Sequence, residues 1–175
     1  MKTGEKKSEH MTILSGSCLV PKTHRRIAFR GCIDILEAEF MEAQLLASEM
    51  GEADFCGFLG EILDYLRKLM AAEVKETPLT PPFLFGMDAE EIHRRSHNTE
   101  GKLPPLPSYT QGALAVRLNT LRAKVREAEL LAVRVFGPAE NADTAPREDI
   151  ILAMNRLSSA LWWLYCELNH PTARL

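Results

Sequence analysis

Charged and polar side chains recur at helical spacing in two stretches of the chain, beside apolar residues that follow the same pattern. Arg122, Arg126 and Glu129 are spaced four and three residues apart, so they share one face of a helix. Asn155 and Ser158 flank the apolar pattern of a later stretch in the same way. Two guanidinium groups and a carboxylate beside a helix seam predict either an ion network or an anion site. Solvated flanks and surface salt bridges give the same spacing, so that alternative stays open.

A second group of cations lies just before the first apolar pattern. Lys22, His24, Arg25 and Arg26 gather where a helix is predicted to begin. Free backbone N–H groups and the helix dipole attract anions to such a start, so it is a candidate phosphate site. Asp34 lies further along the same helix, beside its apolar positions.

Four long helices are predicted to position these side chains. Apolar residues recur at spacings of three and four over residues 29–50, 55–69, 114–135 and 150–168. Glycine or proline follows each stretch, at Gly51, Pro78, Gly137 and Pro171. A shorter polar helix is predicted from Asp88 to His97, with Asp88 as its cap. No stretch shows the alternation of apolar and polar residues that is typical of a strand. The predicted fold is therefore an all-α bundle of four to five helices.

The connection between the second and third long helices is long and rich in proline. Residues 77–111 contain Pro78, Pro81, Pro82, Pro104, Pro105 and Pro107. Long ordered loops often cover ligands. A plain crossover between helices accounts for the length equally well, and the sequence alone does not decide between the two.

Size and composition suit one domain. A chain of 175 residues is long enough to bury a core. Its composition, 46% hydrophobic and 26% charged, is that of an ordinary globular protein. We predict a single domain over residues 12–170, after a disordered polar tail over residues 1–11. The net charge of −3 argues against a general nucleic-acid binder, and no apolar run approaches the ~20 residues that span a bilayer. Without a secretory leader or a CxxC pair, the chain is predicted to be cytoplasmic and free of disulfides.

Taken together, the motifs resemble those of ATP:cob(I)alamin adenosyltransferases. The segment Leu121–Glu129 (LRAKVREAE) is similar to the family motif R-x-x-x-R-R-A-E, and Met154–Ser158 (MNRLS) to L-N-R-L-S-D. Lys22, Arg26 and the segment Gly31–Asp34 (GCID) look like K-x-x-x-R followed by Y-G-x-x-D. These similarities cover residues 12 to 168.

Two further segments, Ala28–Gly31 (AFRG) and Ile92–His97 (IHRRSH), resemble the ethanolamine-utilisation branch of that family. The resemblance implies a five-helix bundle that forms a homotrimer and binds ATP between neighbouring subunits. Such enzymes transfer the 5′-deoxyadenosyl group of ATP to cob(I)alamin and release triphosphate, whose charge Mg²⁺ shares. A cobalamin reductase and an adenosylcobalamin-dependent lyase are implied partners, and association with a microcompartment stays open.

The resemblance also implies roles for individual residues. Arg126, Asp34 and Arg122 would be catalytic, with Asp34 and Arg122 as an ion pair. The implied ATP-binding residues are Lys22, Arg26, Arg126, Glu129, Asn155 and Ser158. The residues implied to face cobalamin are Leu106, Tyr109 and His93.

Some positions depart from the family pattern. Thr12–Gly16 stands where the family has a Gly-Asp-rich ATP loop, and Ser159 replaces the acid of the second motif. Many relatives in the ethanolamine branch carry a His and a Cys-Cys-x-x-Cys metal cluster, whereas this chain has only His10 and Cys18 there, so we predict no structural metal. The leading hypothesis is the adenosyltransferase, and the missing loop motivates an alternative, a non-catalytic relative that binds cobalamin or ATP for delivery or sensing. A plain helical interaction module is a third hypothesis.

Overall fold

The computed structural model describes residues 8–97, 106–138 and 145–169. Within these residues a two-stranded hairpin precedes five α-helices, which confirms the predicted helical bundle. The elements are β1 (Met11–Ser15), β2 (Cys18–Pro21), α1 (Arg25–Glu49), α2 (Ala53–Lys75), α3 (Ala89–His97), α4 (Ala113–Phe136) and α5 (Glu148–Asn169). One turn of 3-10 helix, Tyr109–Gln111, lies before α4. Among the described residues no helix combines the length and the apolar composition needed to cross a membrane.

The helix ends follow the local sequence signals. Gly51 comes directly after the α1 cap with φ of 77°, and Glu76 ends α2 with φ of 56°. A left-handed residue at this position lets the last carbonyls of a helix find hydrogen-bond donors. At the start of α3, the Asp88 carboxylate accepts a hydrogen bond from the Glu91 N–H at 2.8 Å, which is the predicted cap.

The apolar stripes of the four long helices form one core. α1 packs against α2 and α4, α4 packs against α5, and the short α3 packs against α5. Fully buried residues include Phe29, Ile33, Phe40, Leu59, Leu66, Leu118, Leu121, Val125, Leu157 and Leu161. Phe29 and Phe136 meet edge to face with ring centroids 5.1 Å apart, so the first turn of α1 lies beside the last turn of α4. α1 and α4 are therefore antiparallel.

The hairpin is an element that the sequence analysis did not predict. β1 and β2 pair antiparallel, with Met11 opposite Pro21 and Thr12 opposite Val20. Strands of five and four residues are too short to show a clear alternation, and in this hairpin Val20 is the buried position. Met11 falls inside the tail that the sequence assigned to residues 1–11, while residues 1–7 lie outside the described part of the chain. The single domain over residues 12–170 stays a prediction.

The first part of the crossover is tied to α2 and α5. The Tyr65 hydroxyl donates to the Thr80 carbonyl at 2.7 Å, and the Leu79 N–H donates to the Asp149 carboxylate at 2.8 Å. Residues 98–105 of the crossover lie outside the described residues. The last part, residues 106–111, leads directly into α4 and is described with the candidate site.

Candidate functional site

The residues Arg122, Arg126, Glu129, Asn155 and Ser158, here called the α4–α5 seam, lie along the contact between these two helices. The Asn155 amide nitrogen donates to the Glu129 carboxylate at 2.8 Å, so the two motifs meet across the helices. Glu129, Asn155 and Ser158 are half-buried, whereas Arg126 is exposed. The structure thus brings together the side chains that helical spacing had predicted to share a face.

The amide of Asn155 is held at both ends. Its nitrogen donates to Glu129, and its oxygen accepts a hydrogen bond from the Arg156 guanidinium at 2.6 Å. Arg156 is only 12% exposed, and it also donates to the Glu90 carboxylate on α3 at 3.3 Å. Because an amide has a donor end and an acceptor end, these two partners fix which way the Asn155 side chain faces. Sequence reasoning gave Arg156 no role in the site, although this residue stands inside the M-N-R-L-S motif.

The two arginines of the seam form a cationic patch. The Arg122 guanidinium lies 5.0 Å from the centre of the Trp162 ring, and its nitrogens donate to the Asn119 side-chain oxygen at 3.4 Å. Burial lowers the pKa of Arg122, and the nearby charge of Arg126 lowers it further. Two like charges one turn apart attract an anion, and guanidinium groups suit phosphate oxygens in particular.

The expected ion pair between Asp34 and Arg122 is not formed within one chain. Asp34 is exposed on the outer side of α1, whose neighbouring positions Ile33 and Leu36 are buried in the core. Arg122 instead lies on the side of α4 that meets Trp162 of α5. Among the residues that the structure describes, no ion pair joins the two, because their side chains occupy different faces of the bundle.

Near the start of α1, one cation, Lys22, is exposed, and another, Arg26, forms ion pairs within the chain. Lys22 is exposed just before α1. The Arg26 guanidinium donates to the carboxylates of Glu73 at 2.5 Å and Glu76 at 2.6 Å. Burial acts to lower the pKa of Arg26, but the hydrogen bonds to Glu76 and Glu73 outweigh it and raise the pKa. Arg26 is therefore a structural link between α1 and α2 in this structure, and its assignment to ATP stays a prediction.

Glu73 is the centre of this link. Its carboxylate is fully buried, and its second oxygen accepts from Arg30 at 2.5 Å. Arg30 also donates to the Leu14 carbonyl at 2.8 Å, which attaches the hairpin to α1. The start of α1, the end of α2 and the hairpin are thus joined around one buried carboxylate.

The residues expected to face cobalamin lie on two segments. Leu106 and Tyr109 are 87% and 86% exposed in the segment before α4. His93 is exposed on α3, with its ring 4.3 Å from that of His97. Gln111 and Tyr165, which sequence reasoning did not single out, bond to each other near the first of these segments.

Metal-binding chemistry has few candidates in the described part of the chain. No group of three or more His, Cys, Asp or Glu side chains there is arranged to hold a metal ion. The four cysteines are free thiols, and Cys18 is the exposed member. Burial raises the pKa of Cys166 to about 11, so this thiol stays protonated at neutral pH.

The fold and the seam define a class, a helical bundle with a cationic site along its last two helices. The sequence model of the family described as cobalamin adenosyltransferase matches residues 2–168, and the chain belongs to this family. Relatives include the corrinoid adenosyltransferase EutT of Salmonella typhimurium (strain LT2) and that of Escherichia coli (strain K12), each 32% identical over 160 residues. These matches cover 90% of this chain and 58% of each relative, so the chain spans less than two thirds of their length. The resemblance seen in the motifs is confirmed.

Proposed function

We propose that this chain transfers the 5′-deoxyadenosyl group of ATP to cob(I)alamin, forming adenosylcobalamin and triphosphate. The observation that carries the proposal is the α4–α5 seam. In the seam, Arg122 and Arg126 share a face of α4 with Glu129, which bonds to Asn155 of α5, and these residues belong to the segments whose sequences resemble the family motifs. The two relatives are named corrinoid adenosyltransferases, which supports the same reaction.

The reaction requires charge stabilisation more than proton transfer. The electron pair of cobalt(I) attacks the 5′-carbon of ATP, a cobalt–carbon bond forms, and the carbon–oxygen bond breaks. Triphosphate leaves with the electron pair of the broken bond. The protein has to orient the 5′-carbon and stabilise the negative charge that develops on the leaving group. Arg126 and Lys22 are exposed cations that would bind the triphosphate, while Asn155 and Ser158 would position the nucleotide.

Mg²⁺ would share the charge of the triphosphate. This ion usually keeps several waters and binds through substrate phosphates and one or two carboxylates. Glu129 fits this role because it is a half-buried carboxylate within the seam, with one oxygen bonded to Asn155. It would act together with the phosphate oxygens and not as part of a metal site made by protein alone.

We further propose that the site is completed by a second copy of the chain, in a homotrimer. Lys22 and Asp34 belong to the α1 side of the molecule, whereas Arg122 and Arg126 belong to the seam. Exposed apolar side chains accompany both surfaces: Ile35, Met41 and Leu45 on α1, and Leu130 and Val133 on α4. Contact between the two surfaces would bury these side chains and bring Asp34 toward Arg122 of a neighbouring copy.

Cobalamin would lie against the segment that carries Leu106 and Tyr109, with His93 of α3 as a polar neighbour. Both Leu106 and Tyr109 present large apolar surfaces to solvent. Such surfaces would exclude water from one face of the corrin and disfavour a lower cobalt ligand. A cobalamin reductase would supply cobalt(I), and an adenosylcobalamin-dependent lyase would use the product.

The visible spectrum of chemically reduced cob(I)alamin, mixed with the purified chain, Mg²⁺ and ATP, tests this function. We expect an ATP-dependent change to the light-sensitive spectrum of adenosylcobalamin. Arg126→Ala should lower kcat/KM by about 100-fold or more, because it removes a cation from the leaving triphosphate.

Arg134→Ala is the matched control, since Arg134 is also exposed on α4 but lies next to α1. This variant should keep the activity of the wild-type chain. Full activity of Arg126→Ala, or an equal loss in both variants, would contradict the role given to Arg126.

The hairpin favours a second candidate, a relative that binds cobalamin or ATP without transferring the adenosyl group. Residues of the segment Thr12–Gly16 pair with β2, where the family pattern has a Gly-Asp-rich ATP loop. Tight binding of cobalamin without any cobalt–carbon bond would support this candidate and exclude the enzyme.

A further inference from the structure

The exposed segment of residues 106–111 is ordered by its own hydrogen bonds. The Ser108 N–H donates to the Gln111 side-chain oxygen at 2.7 Å, and the Ser108 hydroxyl accepts from the Thr110 N–H at 3.3 Å. These reciprocal bonds are a capping box around the 3-10 turn Tyr109–Gln111. Gly112, with φ of 92°, then joins the turn to α4.

Gln111 also attaches this segment to the bundle. Its side-chain oxygen accepts a second hydrogen bond, from the Tyr165 hydroxyl of α5 at 2.7 Å. An amide oxygen has two lone pairs, and here one holds the turn while the other holds α5. The position of Tyr109 relative to the bundle therefore depends on a bond between residues 54 apart in the sequence.

Tyr165 is itself fixed by the candidate site. It is 1% exposed, and its ring stacks on Trp162 with centroids 5.3 Å apart and planes 11° apart. The Arg122 guanidinium also lies against Trp162, 5.0 Å from the centre of its ring. A continuous set of contacts thus leads from the seam, through Trp162 and Tyr165, to the segment that carries Leu106 and Tyr109.

We propose that Tyr165 is a positioning residue for the corrinoid substrate. Its hydroxyl holds Gln111, and through Gln111 it holds the 106–111 segment in the place where that segment covers the corrin. This inference rests on the proposed function and adds to it a residue that acts on one substrate and not on the other. Tyr165 does not itself contact the reacting atoms.

Tyr165→Phe in the full chain tests the inference, because it removes the hydroxyl and keeps the stacked ring. We expect the KM for cob(I)alamin to rise about fivefold, the effect of losing one typical hydrogen bond, while the KM for ATP stays the same. Tyr65→Phe is the matched control, since Tyr65 is also buried and its hydroxyl holds the other end of the crossover at Thr80. It should change neither KM.

A double variant shows whether the hydroxyl acts through Gln111. In a Gln111→Ala background, Tyr165→Phe should have no further effect on the KM for cob(I)alamin, because the bond is already lost. Additive effects, or equal changes in the KM values of both substrates, would overturn the inference.

Hydrogen exchange gives a readout that needs no catalysis. In Tyr165→Phe, the amides of Gln111 and Gly112 should exchange about fivefold faster, since the turn opens more often. Unchanged exchange would overturn the inference even in an active enzyme. A wild-type chain that forms no adenosylcobalamin would overturn the proposed function instead. The role of Tyr165 would then be decided by the exchange rates and by the direct binding of cobalamin to Tyr165→Phe and to its control Tyr65→Phe.

Discussion

Asn155 shows how a single polar side chain depends on its neighbours. Helical spacing identified it as a candidate, but spacing does not show which end of its amide faces a ligand. In the structure the amide oxygen accepts a hydrogen bond from Arg156, and the amide nitrogen donates one to Glu129. Arg156 is therefore expected to act on ATP indirectly, by keeping the Asn155 amide in one orientation.

Removing the Arg156 guanidinium should raise the KM for ATP. A hydrogen bond to a charged group contributes about 1.5–3 kcal/mol, so Arg156→Leu should raise this KM at least about tenfold. The KM for cob(I)alamin should stay within twofold of the wild-type value, which is the reverse of the pattern expected for Tyr165→Phe. Steady-state kinetics with each substrate varied in turn measures both constants.

Glu90→Gln serves as the control at this site. Glu90 is the other partner of Arg156, but it is 82% exposed and 3.3 Å away, so its loss should leave the KM for ATP within twofold. If Arg156→Leu changed both KM values equally, Arg156 would be a general structural residue and not a positioning residue for ATP.

At the scale of elements, the buried carboxylate of Glu73 joins α1, α2 and the hairpin. Glu73→Gln removes the buried charge that Arg26 and Arg30 share, so that Arg26 keeps the exposed Glu76 and Arg30 keeps the Leu14 carbonyl. Breaking a buried ion pair in this way costs about 3–5 kcal/mol of unfolding free energy. Urea unfolding at pH 7, followed by far-UV circular dichroism, measures this change.

Glu76→Gln is the matched variant for that measurement. Glu76 also accepts from Arg26, but its side chain is 53% exposed, and exposed ion pairs contribute about 0–1 kcal/mol. Equal destabilisation by the two substitutions would show that burial of Glu73 is not what stabilises the junction.

The same elements show which parts of the fold and site were readable from the sequence. The four long helices were predicted because their apolar stripes repeat over many turns and are followed by local signals such as Gly51 and Gly137. The polar residues of the seam were predicted as two sets, one on each helix, because the members of each set lie within two helical turns of one another. Their meeting across α4 and α5 is a contact between residues 26 apart. The hairpin was missed because its strands are short.

The features that were not predicted depend on contacts between residues far apart in the sequence. Arg26 was assigned to ATP, yet its partner Glu73 is 47 residues away and no local pattern connects them. Tyr165 and Gln111 are 54 residues apart and belong to different helical elements. Such pairs depend on how the helices pack, which periodicity does not specify.

At the scale of the whole molecule, the candidate residues occupy two separate surfaces. Asp34 lies on the outer side of α1, and Arg122 lies on the seam. If these two residues pair between copies, each copy uses one surface toward one neighbour and the other surface toward the next. A head-to-tail contact of this kind closes into a ring when the rotation allows it, which is consistent with the proposed trimer.

Charge reversal tests this arrangement. Asp34→Arg alone would place two cations opposite each other, and Arg122→Asp alone would place two carboxylates there. Close charge pairs at interfaces contribute about 1.5–7 kcal/mol, so each single variant should weaken assembly at least about tenfold. The double variant restores an ion pair with its charges exchanged, and it should assemble again. Sedimentation velocity measures the assembly, and single variants that stay as fully assembled as the wild-type chain would show that Asp34 and Arg122 do not meet between copies.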